Sequence, residues 1–279
     1  MMDEAYKVTF PLTPIQLAEL RALPPKAHIR IERQEIQDDD LSCLMGALRN
    51  DTDTLSFYET HLFNCSITAF RTFVEHLPVD LKMLDITFGN ELNENIADKL
   101  ILLMQNLPES VDYLVLNGNG LYRLDETELQ TFAQAIPNTI RTLSIEFSQL
   151  DELDFFKLIE HLPATIRELY IADNGLFDFD PENLKNLFDI LPRDIQKVDL
   201  SEEVDLSDID FTPHIAEILE KNPRLRSKEI WLNGQNLLAQ TATPAVTVLG
   251  KRSRLFSNPP QNEHDDDEDA TPARQCPKK

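Results

Sequence analysis

The chain has 279 residues, 42% of them apolar, and a formal charge of −23 at pH 7. That length and apolar fraction allow one large folded domain or two small ones. The excess of carboxylates argues against a nucleic-acid binder, because phosphate backbones are held by Lys and Arg. It favours basic protein partners, or only solubility. Three cysteines without a C-x-x-C pair argue against a disulfide framework or a zinc site and fit a reducing compartment.

Residues 1–24 are predicted to form an N-terminal cap. The segment YKVTF is typical of a short strand, and Thr13 before Pro14 is typical of the start of a helix, PIQLAELRAL. A terminal repeat needs such a cap because its outer face has no neighbour. We see no N-terminal export signal and no apolar stretch long enough for membrane insertion, so we expect a soluble chain.

Beyond Pro24 the sequence repeats itself with a period of about 29 residues. The segment ALRND at 47–51 takes the place of one missing proline, so that eight units are visible. The prolines that end the other units, at intervals of 26 to 31 residues, are Pro78, Pro108, Pro137, Pro163, Pro192 and Pro223.

Each unit begins with an apolar-x-apolar pair and continues with a stretch such as ITAFRTFVEHL, whose apolar residues recur every three or four positions. The alternation predicts a strand with one buried face, and the second spacing predicts a helix. The eight pairs are Ile29/Ile31, Leu55/Phe57, Leu84/Ile86, Leu114/Leu116, Leu143/Ile145, Leu169/Ile171, Val198/Leu200 and Ile230/Leu232. We expect one strand and one helix per unit.

The segments YLVLNGNGL (113–121) and ELYIADNGL (168–176) show the repeat at its clearest. They resemble the leucine-rich-repeat pattern L-x-x-L-x-L-x-x-N-x-L, and the period with a full helix resembles the ribonuclease-inhibitor-like subclass. The resemblance covers about residues 25–238. It implies an α/β solenoid, a horseshoe with a concave parallel sheet, convex helices and about eight repeats.

The same resemblance assigns a structural asparagine ladder to Asn119 and Asn174. In that position the side-chain amide satisfies backbone groups where the chain leaves the strand, and Gly120 and Gly175 ease the turn. Other residues replace the asparagine at Thr60, Ser148, Glu203 and Gln235. We expect irregular repeats there, above all at 196–211 and near Gly89-Asn90, where an extra residue shifts the phase.

The concave face is the predicted binding surface. Strand alternation points the residues between and beside the paired aliphatics toward it. Aromatics edged by carboxylates are typical of protein interfaces. The predicted protein-binding residues are Tyr58, Asp85, Tyr113, Glu146, Glu168, Tyr170, Asp199 and Trp231, with Tyr113, Glu146, Glu168, Tyr170 and Asp199 as the central patch. The alternative is that one or two of these aromatics only pack on their neighbours, as Trp231 would in the last repeat.

No catalytic, cofactor or metal motif accompanies this face. His76 and His161 both occur in EHLP, so repeat architecture explains them. The segment VLGKRS lacks the upstream glycine of a phosphate loop, and the acidic runs lack the spacing of a calcium loop. We therefore expect no enzyme, no cofactor and no metal site. An enzyme with an unfamiliar site would instead show a deep pocket with strongly shifted acid groups.

Residues 239–279 are predicted to be a flexible tail, because they are polar, proline-containing and without periodicity. The tail carries an acidic block, EHDDDED, from Glu263 to Asp269. Together with the repeat wording LPATIRELYIADNGL, this resembles the leucine-rich-repeat effectors that intracellular bacterial pathogens inject through a type IVB secretion system. Those effectors carry an acidic C-terminal export signal and act on host proteins.

That resemblance implies a virulence effector, secreted into the host cytoplasm, that binds a host protein. The acidic charge of the chain favours a host protein with a basic patch. Three alternatives stay open. The first two are a regulator or substrate receptor for a GTPase or ubiquitin-ligase system and a eukaryotic intracellular leucine-rich-repeat scaffold. The third is a nuclear location, to which the basic residues Lys251, Arg252 and Arg254 point weakly.

Overall fold

The computed structural model describes residues 5–88, 95–175, 181–201, 217, 220, 223–232 and 235–236. Contacts divide the chain into two units, residues 1–247 and 248–279, and every described residue belongs to the first. The predicted tail, with its acidic block and basic patch, lies outside the described residues, as do Glu203 and the insertion at Gly89-Asn90.

A single ten-stranded sheet runs through the described residues, with its strands in the order of the sequence. Strands β1 to β9 are parallel, and β10 pairs antiparallel with β9. The strands are β1 (Tyr6–Val8), β2 (His28–Glu32), β3 (Thr54–Tyr58), β4 (Met83–Thr87), β5 (Tyr113–Val115), β6 (Thr142–Ser144), β7 (Glu168–Tyr170), β8 (Lys197–Asp199), β9 (Glu229–Leu232) and β10 (Gln235–Asn236).

A helix follows each of the first seven strands, and helices of successive repeats pack side by side. The helices are α1 (Pro14–Ala22), α2 (Asp38–Met45), α3 (Ile67–Glu75), α4 (Ile96–Asn106), α5 (Glu126–Ala135), α6 (Glu152–Glu160) and α7 (Pro181–Ile190). Short 3-10 helices lie at Leu62–Asn64, Leu121–Arg123 and Pro223–Ser227. The prediction of one strand and one helix per unit is confirmed for these repeats.

The core explains why the alternating pairs form strands. Leu55 and Phe57 are fully buried, and the Phe57 ring meets Phe73 of α3 edge-on with centroids 5.4 Å apart. Each such buried side chain stabilises the fold by about 1.5–3 kcal/mol. The residues between them point to the opposite side of the sheet. We call that helix-free side the open face; it corresponds to the predicted concave face.

Strict register stacks equivalent residues of the open face into two columns. The first column, at the position before the first aliphatic, is His28, Thr54, Met83, Tyr113, Thr142, Glu168, Lys197 and Glu229. The second column, between the aliphatics, is Arg30, Ser56, Asp85, Val115, Ser144, Tyr170, Asp199 and Trp231. Neighbours in a column lie on adjacent strands, so they can contact one another directly.

The helix starts follow the predicted capping chemistry where they are described. Thr13 accepts a hydrogen bond from the Gln16 backbone, and the Gln16 side chain accepts one from the Thr13 backbone, so the first helix has a complete capping box. Helix α7 also begins at a proline, Pro181.

Asparagine side chains tie the chain down where it leaves the strands. The Asn119 Nδ2 donates to the carbonyl of Ile86 at 2.6 Å. The Asn174 Nδ2 donates to the carbonyls of Ile145 and Ile171 at 3.1 and 3.0 Å, and its Oδ1 accepts from the Ser148 backbone at 2.7 Å. The bonds to Ile86, Ile145 and Ser148 cross from one repeat to the next, and all of them satisfy backbone groups that are buried.

Candidate protein-binding face

The central patch is built from three consecutive strands and the turn after β6. Tyr113 lies in the first column on β5, Glu168 and Tyr170 lie on β7, and Glu146 follows β6. All four side chains are half-buried, so each presents part of its surface on the open face. Because they stand on a hydrogen-bonded sheet, their spacing is set by the backbone.

A chain of hydrogen bonds links β7 to β8. The Tyr170 hydroxyl donates to Glu168 Oε2 at 2.9 Å, and the Lys197 Nζ donates to the Tyr170 hydroxyl at 2.9 Å. The same ammonium lies 4.8 Å from the centroid of the Tyr170 ring, within the range of a cation–π interaction. The sequence places Lys197 on this face, but only the structure shows that it contacts Tyr170.

Asn117 fixes the position of Glu146. Its Oδ1 accepts from the Glu146 backbone at 2.9 Å and from the Ser144 hydroxyl at 2.8 Å. Its Nδ2 donates to Glu146 Oε2 at 2.9 Å. The Asn117 amide therefore holds both the backbone and the carboxylate of Glu146.

The pKa of Tyr113 depends on its burial and on the titratable groups of the patch. Burial raises its pKa to about 12, with further contributions from the titratable neighbours Tyr170, Glu146, Asp85 and Glu168. The phenol therefore keeps its proton at physiological pH and offers a hydrogen-bond donor. Tyr113 therefore lies within electrostatic range of Glu146, Glu168 and Tyr170.

The two predicted aspartates, Asp85 and Asp199, are buried instead of exposed on the open face. Asp85 is 3% exposed and Asp199 is fully buried. Neither carboxylate offers surface to a partner, so we remove both from the contact surface.

Their hydrogen bonds are internal to the sheet. Asp85 accepts from the Ser56 hydroxyl at 2.8 Å and the Thr87 hydroxyl at 2.6 Å, and burial raises the Asp85 pKa. Asp199 accepts from the hydroxyl of Ser201 at 2.6 Å and from its backbone at 3.2 Å. Asp85 thus ties β3 to β4, and Asp199 fixes the chain where it leaves β8.

Tyr58 lies apart from the central patch, among cations. The Arg30 guanidinium is 5.7 Å from the centroid of the Tyr58 ring. Arg30 and Lys7 both pair with Glu32, each at 2.9 Å, and Arg33 pairs with Glu59 at 3.2 Å. We call Lys7, Arg30, Glu32, Arg33, Tyr58 and Glu59 the N-terminal cluster.

An aromatic row that the sequence reasoning missed begins at Tyr58. The Phe88 ring contacts Tyr58 at 6.1 Å and Phe147 at 5.8 Å between centroids. Phe88 and Phe147 occupy the same repeat position, two residues after the second aliphatic, with φ of 50° and 55°. The signal available in the sequence was this shared position.

Gly118 holds that position in the repeat between the two phenylalanines. Its φ is +65°, and a Cβ built there would stand 2.2 Å from the Phe88 ring. The missing side chain lets Phe88 reach across one repeat to Phe147.

Trp231 belongs to the last strand of the second column. Its Nε1 donates to Glu229 Oε2 at 3.0 Å, and the residue is half-buried. The structure therefore leaves part of Trp231 accessible but does not join it to the central patch.

Two histidines and one lysine outside the open face make contacts within the fold. His76 and His161 make the same contact, Nδ1 to the carbonyl four residues earlier at 2.8 Å, as expected from their shared motif. Lys99 is 3% exposed and donates to the carbonyls of Phe63 and Cys65 at 2.6 Å. Burial raises the pKa of the Cys65 thiol to about 11, which makes it a poor nucleophile.

A shallow cleft of about 350 Å³ lies beside the N-terminal cluster, lined by Arg33, Gln34, Glu35, Glu59, His61 and Phe88. Within the ranges given above, no three His, Cys, Asp or Glu side chains come close enough to hold a metal ion. No helix in the described part of the chain is long and apolar enough to cross a membrane.

A parallel sheet with one helix per strand and a period of about 29 residues defines the leucine-rich-repeat fold, which the chain adopts as predicted. A solved structure with this fold is that of the leucine-rich-repeat-containing protein LegL7 from Legionella pneumophila. It matches with a TM-score of 0.62 and 20% identity, over 80% of this chain and 71% of LegL7.

A second structure, the Rad7 and Elc1 complex from yeast, covers 80% of this chain and 67% of its own. Its TM-score is 0.38 at 16% identity, too low to add to the argument. The sequence matches no protein-family profile and no curated protein sequence. The comparisons thus define the fold.

Proposed function

We propose that the protein is a non-catalytic binding module that holds a partner protein on its open face. The observation that carries the proposal is the cluster of Tyr113, Glu146, Glu168 and Tyr170, half-exposed on a rigid sheet. Tyrosines of this kind anchor protein interfaces, because they contribute a large apolar surface and a polar tip. The carboxylates beside them favour a partner with a basic patch, and the net charge of −23 steers such a partner toward the protein.

The proposal extends to a biological setting. The repeat wording and the acidic block Glu263 to Asp269 resemble those of translocated leucine-rich-repeat effectors, and the structural neighbour LegL7 comes from Legionella pneumophila. We therefore place the protein in the cytoplasm of a host cell, bound to a host protein. Export would depend on the acidic block.

Affinity capture from a eukaryotic cell lysate tests the binding face. The bait is the full chain, and the test variant carries Tyr113→Ala and Tyr170→Ala together. The matched control is Tyr122→Ala, which removes a tyrosine of 46% exposure that lies beside α5, away from the open face. Asp199 is left intact because its buried hydrogen bonds support the sheet.

We expect a protein that the wild type and Tyr122→Ala retain, that the double variant loses, and that salt elutes. If the folded double variant retains the same proteins, the open-face function is wrong. A GTPase regulator or ubiquitin-ligase component among the retained proteins would favour the substrate-receptor alternative.

A translocation reporter fused to the chain tests the setting. We expect delivery into host cells through a type IVB system, and its loss when the acidic residues of 263–269 become Asn and Gln. Delivery that is unchanged by the substitution would contradict an export role for the block. A matched fusion with Lys251, Arg252 and Arg254 changed to Gln should be delivered normally, and its location reports any nuclear import.

A further inference from the structure

Lys197 occupies the cation-binding position of the central patch. Its ammonium is 4.8 Å from the centroid of the Tyr170 ring and donates to the hydroxyl of the same tyrosine at 2.9 Å. Among the described residues, Tyr170 is the hydrogen-bond partner of this ammonium. The protein thus shows, with its own side chain, which chemical group the patch accommodates.

The surroundings of Tyr170 select for positive charge. The faces of tyrosine rings carry negative potential, and Glu146 and Glu168 stand beside the two tyrosines. An anionic ligand would meet both carboxylates, and an apolar ligand would strip water from them without pairing them. A lysine or arginine side chain satisfies both requirements at once.

Tyr113 supplies the part of the patch that Lys197 leaves open. Its ring is half-buried beside Glu146 and Glu168, and its phenol keeps its proton because its pKa is about 12. Tyr113 lies on β5, three strands from Lys197 on β8. Tyr170 lies between them on β7, so a partner side chain that reaches Tyr170 would have Tyr113 on one side and Lys197 on the other.

In the N-terminal cluster, the cation over a tyrosine ring is held by an ion pair, unlike Lys197 in the central patch. Arg30 also lies over a tyrosine ring, that of Tyr58, but it is bound in an ion pair with Glu32 at 2.9 Å. Lys197 instead donates to a neutral phenol. A hydrogen bond to a neutral group is weaker than one to a charged group, so Lys197 is the more easily displaced of the two.

We propose that the central patch is a receptor for a lysine or arginine side chain of the partner protein, and that Lys197 fills it in the free protein and leaves when the partner binds. This inference rests on the proposed open-face function. It adds the chemical class of the anchoring residue and a built-in competitor that lowers the affinity for weakly basic partners.

Titration with a capped peptide GSKKKSG tests the receptor on the full chain, by calorimetry at low salt. Lys197→Met removes the competing ammonium and keeps the length of the side chain. The matched control is Lys7→Met, which changes the net charge equally but removes a lysine paired with Glu32. A third variant, Tyr170→Leu, removes the ring.

We expect Lys197→Met to bind the peptide about threefold to tenfold more tightly than the wild type, the range for loss of one cation–π contact and one hydrogen bond. Lys7→Met should change the affinity less than about twofold, and Tyr170→Leu should weaken it about tenfold or more. The peptide with every lysine acetylated should not bind. Equal or weaker binding by Lys197→Met than by Lys7→Met would overturn the proposal.

A second measurement reads Lys197 directly. Reductive ¹³C-methylation labels the lysines, and the Tyr170 ring should shift the Lys197 methyl signal away from the position of an exposed lysine. Adding GSKKKSG should move it toward the position of an exposed lysine. A signal that stays in place while the peptide binds would contradict displacement.

These outcomes are separable from failure of the open-face function. If the peptide binds no variant but Tyr113→Ala/Tyr170→Ala still loses the captured partner, the receptor is wrong and the binding face stands. If Lys197→Met tightens peptide binding but the Tyr113→Ala/Tyr170→Ala variant captures the same proteins as the wild type, the receptor stands and the binding face is wrong.

Discussion

The two halves of the open face contain similar residues that are paired in opposite ways. In the N-terminal cluster, three cations share two carboxylates, and ion pairs of 2.9 to 3.2 Å join them. In the central patch, Glu146 and Glu168 accept hydrogen bonds from the neutral side chains of Asn117 and Tyr170, and one ammonium lies over a ring. Ion pairs dominate the first half, and hydrogen bonds between carboxylates and neutral side chains dominate the second.

Partner affinity should reveal this difference most strongly. Tyr113→Ala with Tyr170→Ala should weaken binding of the captured partner at least about 100-fold, because two interface tyrosines each contribute about 2 kcal/mol or more. Tyr58→Ala, in the N-terminal cluster, should change the affinity less than about threefold. Surface plasmon resonance measures both. Similar losses from the two halves would show that the whole face binds.

The aromatic row that connects the halves can be cut at Gly118. Gly118→Ala puts a Cβ within 2.2 Å of the Phe88 ring and forces a left-handed backbone on a residue with a side chain. We expect a loss of about 1–3 kcal/mol in the free energy of unfolding by urea. Gly46→Ala is the control, since Gly46 has φ of −69° and its nearest neighbour is 3.5 Å away. Equal stabilities would show that Phe88 moves aside freely.

Asp85 should make the stability of the sheet depend on pH. Burial raises its pKa, so between the unfolded and the folded pKa the native state binds more protons. Stability from this group is therefore full at low pH and is lost as pH rises through the folded pKa. Asp85→Asn should remove that loss, so its stability relative to the wild type should rise from pH 4 to pH 7. A constant difference would show that Asp85 does not titrate differently on folding.

Glu32 in the N-terminal cluster should behave in the opposite sense and more weakly. The hydrogen bond from Lys7 lowers its pKa, so its contribution is present above the unfolded value and is lost as pH falls through the folded one. Glu32→Gln should cost at most about 1 kcal/mol at pH 7 in urea unfolding, because the pair is exposed. High salt should reduce that cost. A cost that salt does not change would indicate packing rather than charge.

The sequence predicted the fold through its period, and the face through its alternation. The paired aliphatics such as Leu55 and Phe57 lie in the core as expected. Two features of the site, the buried aspartates and the position of Lys197, depend on neighbouring residues rather than on residue type. Asp85 and Asp199 are polar, yet their neighbours bury them, and Lys197 gains its role only from the ring of Tyr170.

The aromatic row was missed for a related reason. Phenylalanine rarely adopts a positive φ, so nothing local indicated that Phe88 and Phe147 would occupy the turn that Gly118 fills in the intervening repeat. The antiparallel strand Gln235–Asn236 was missed as well, since two polar residues carry no alternation.

That antiparallel strand has a consequence for how the chain behaves in concentrated solution. A parallel sheet built from repeats is an open ladder, and an unpaired edge strand is a template on which further copies can add. Here the described sheet ends on a two-residue strand of reversed direction at one end, and on a three-residue strand that carries the exposed Lys7 at the other. Short edge strands and lysine side chains on the edge disfavour such addition. The two edges of the described sheet therefore resist pairing with a second copy of the chain.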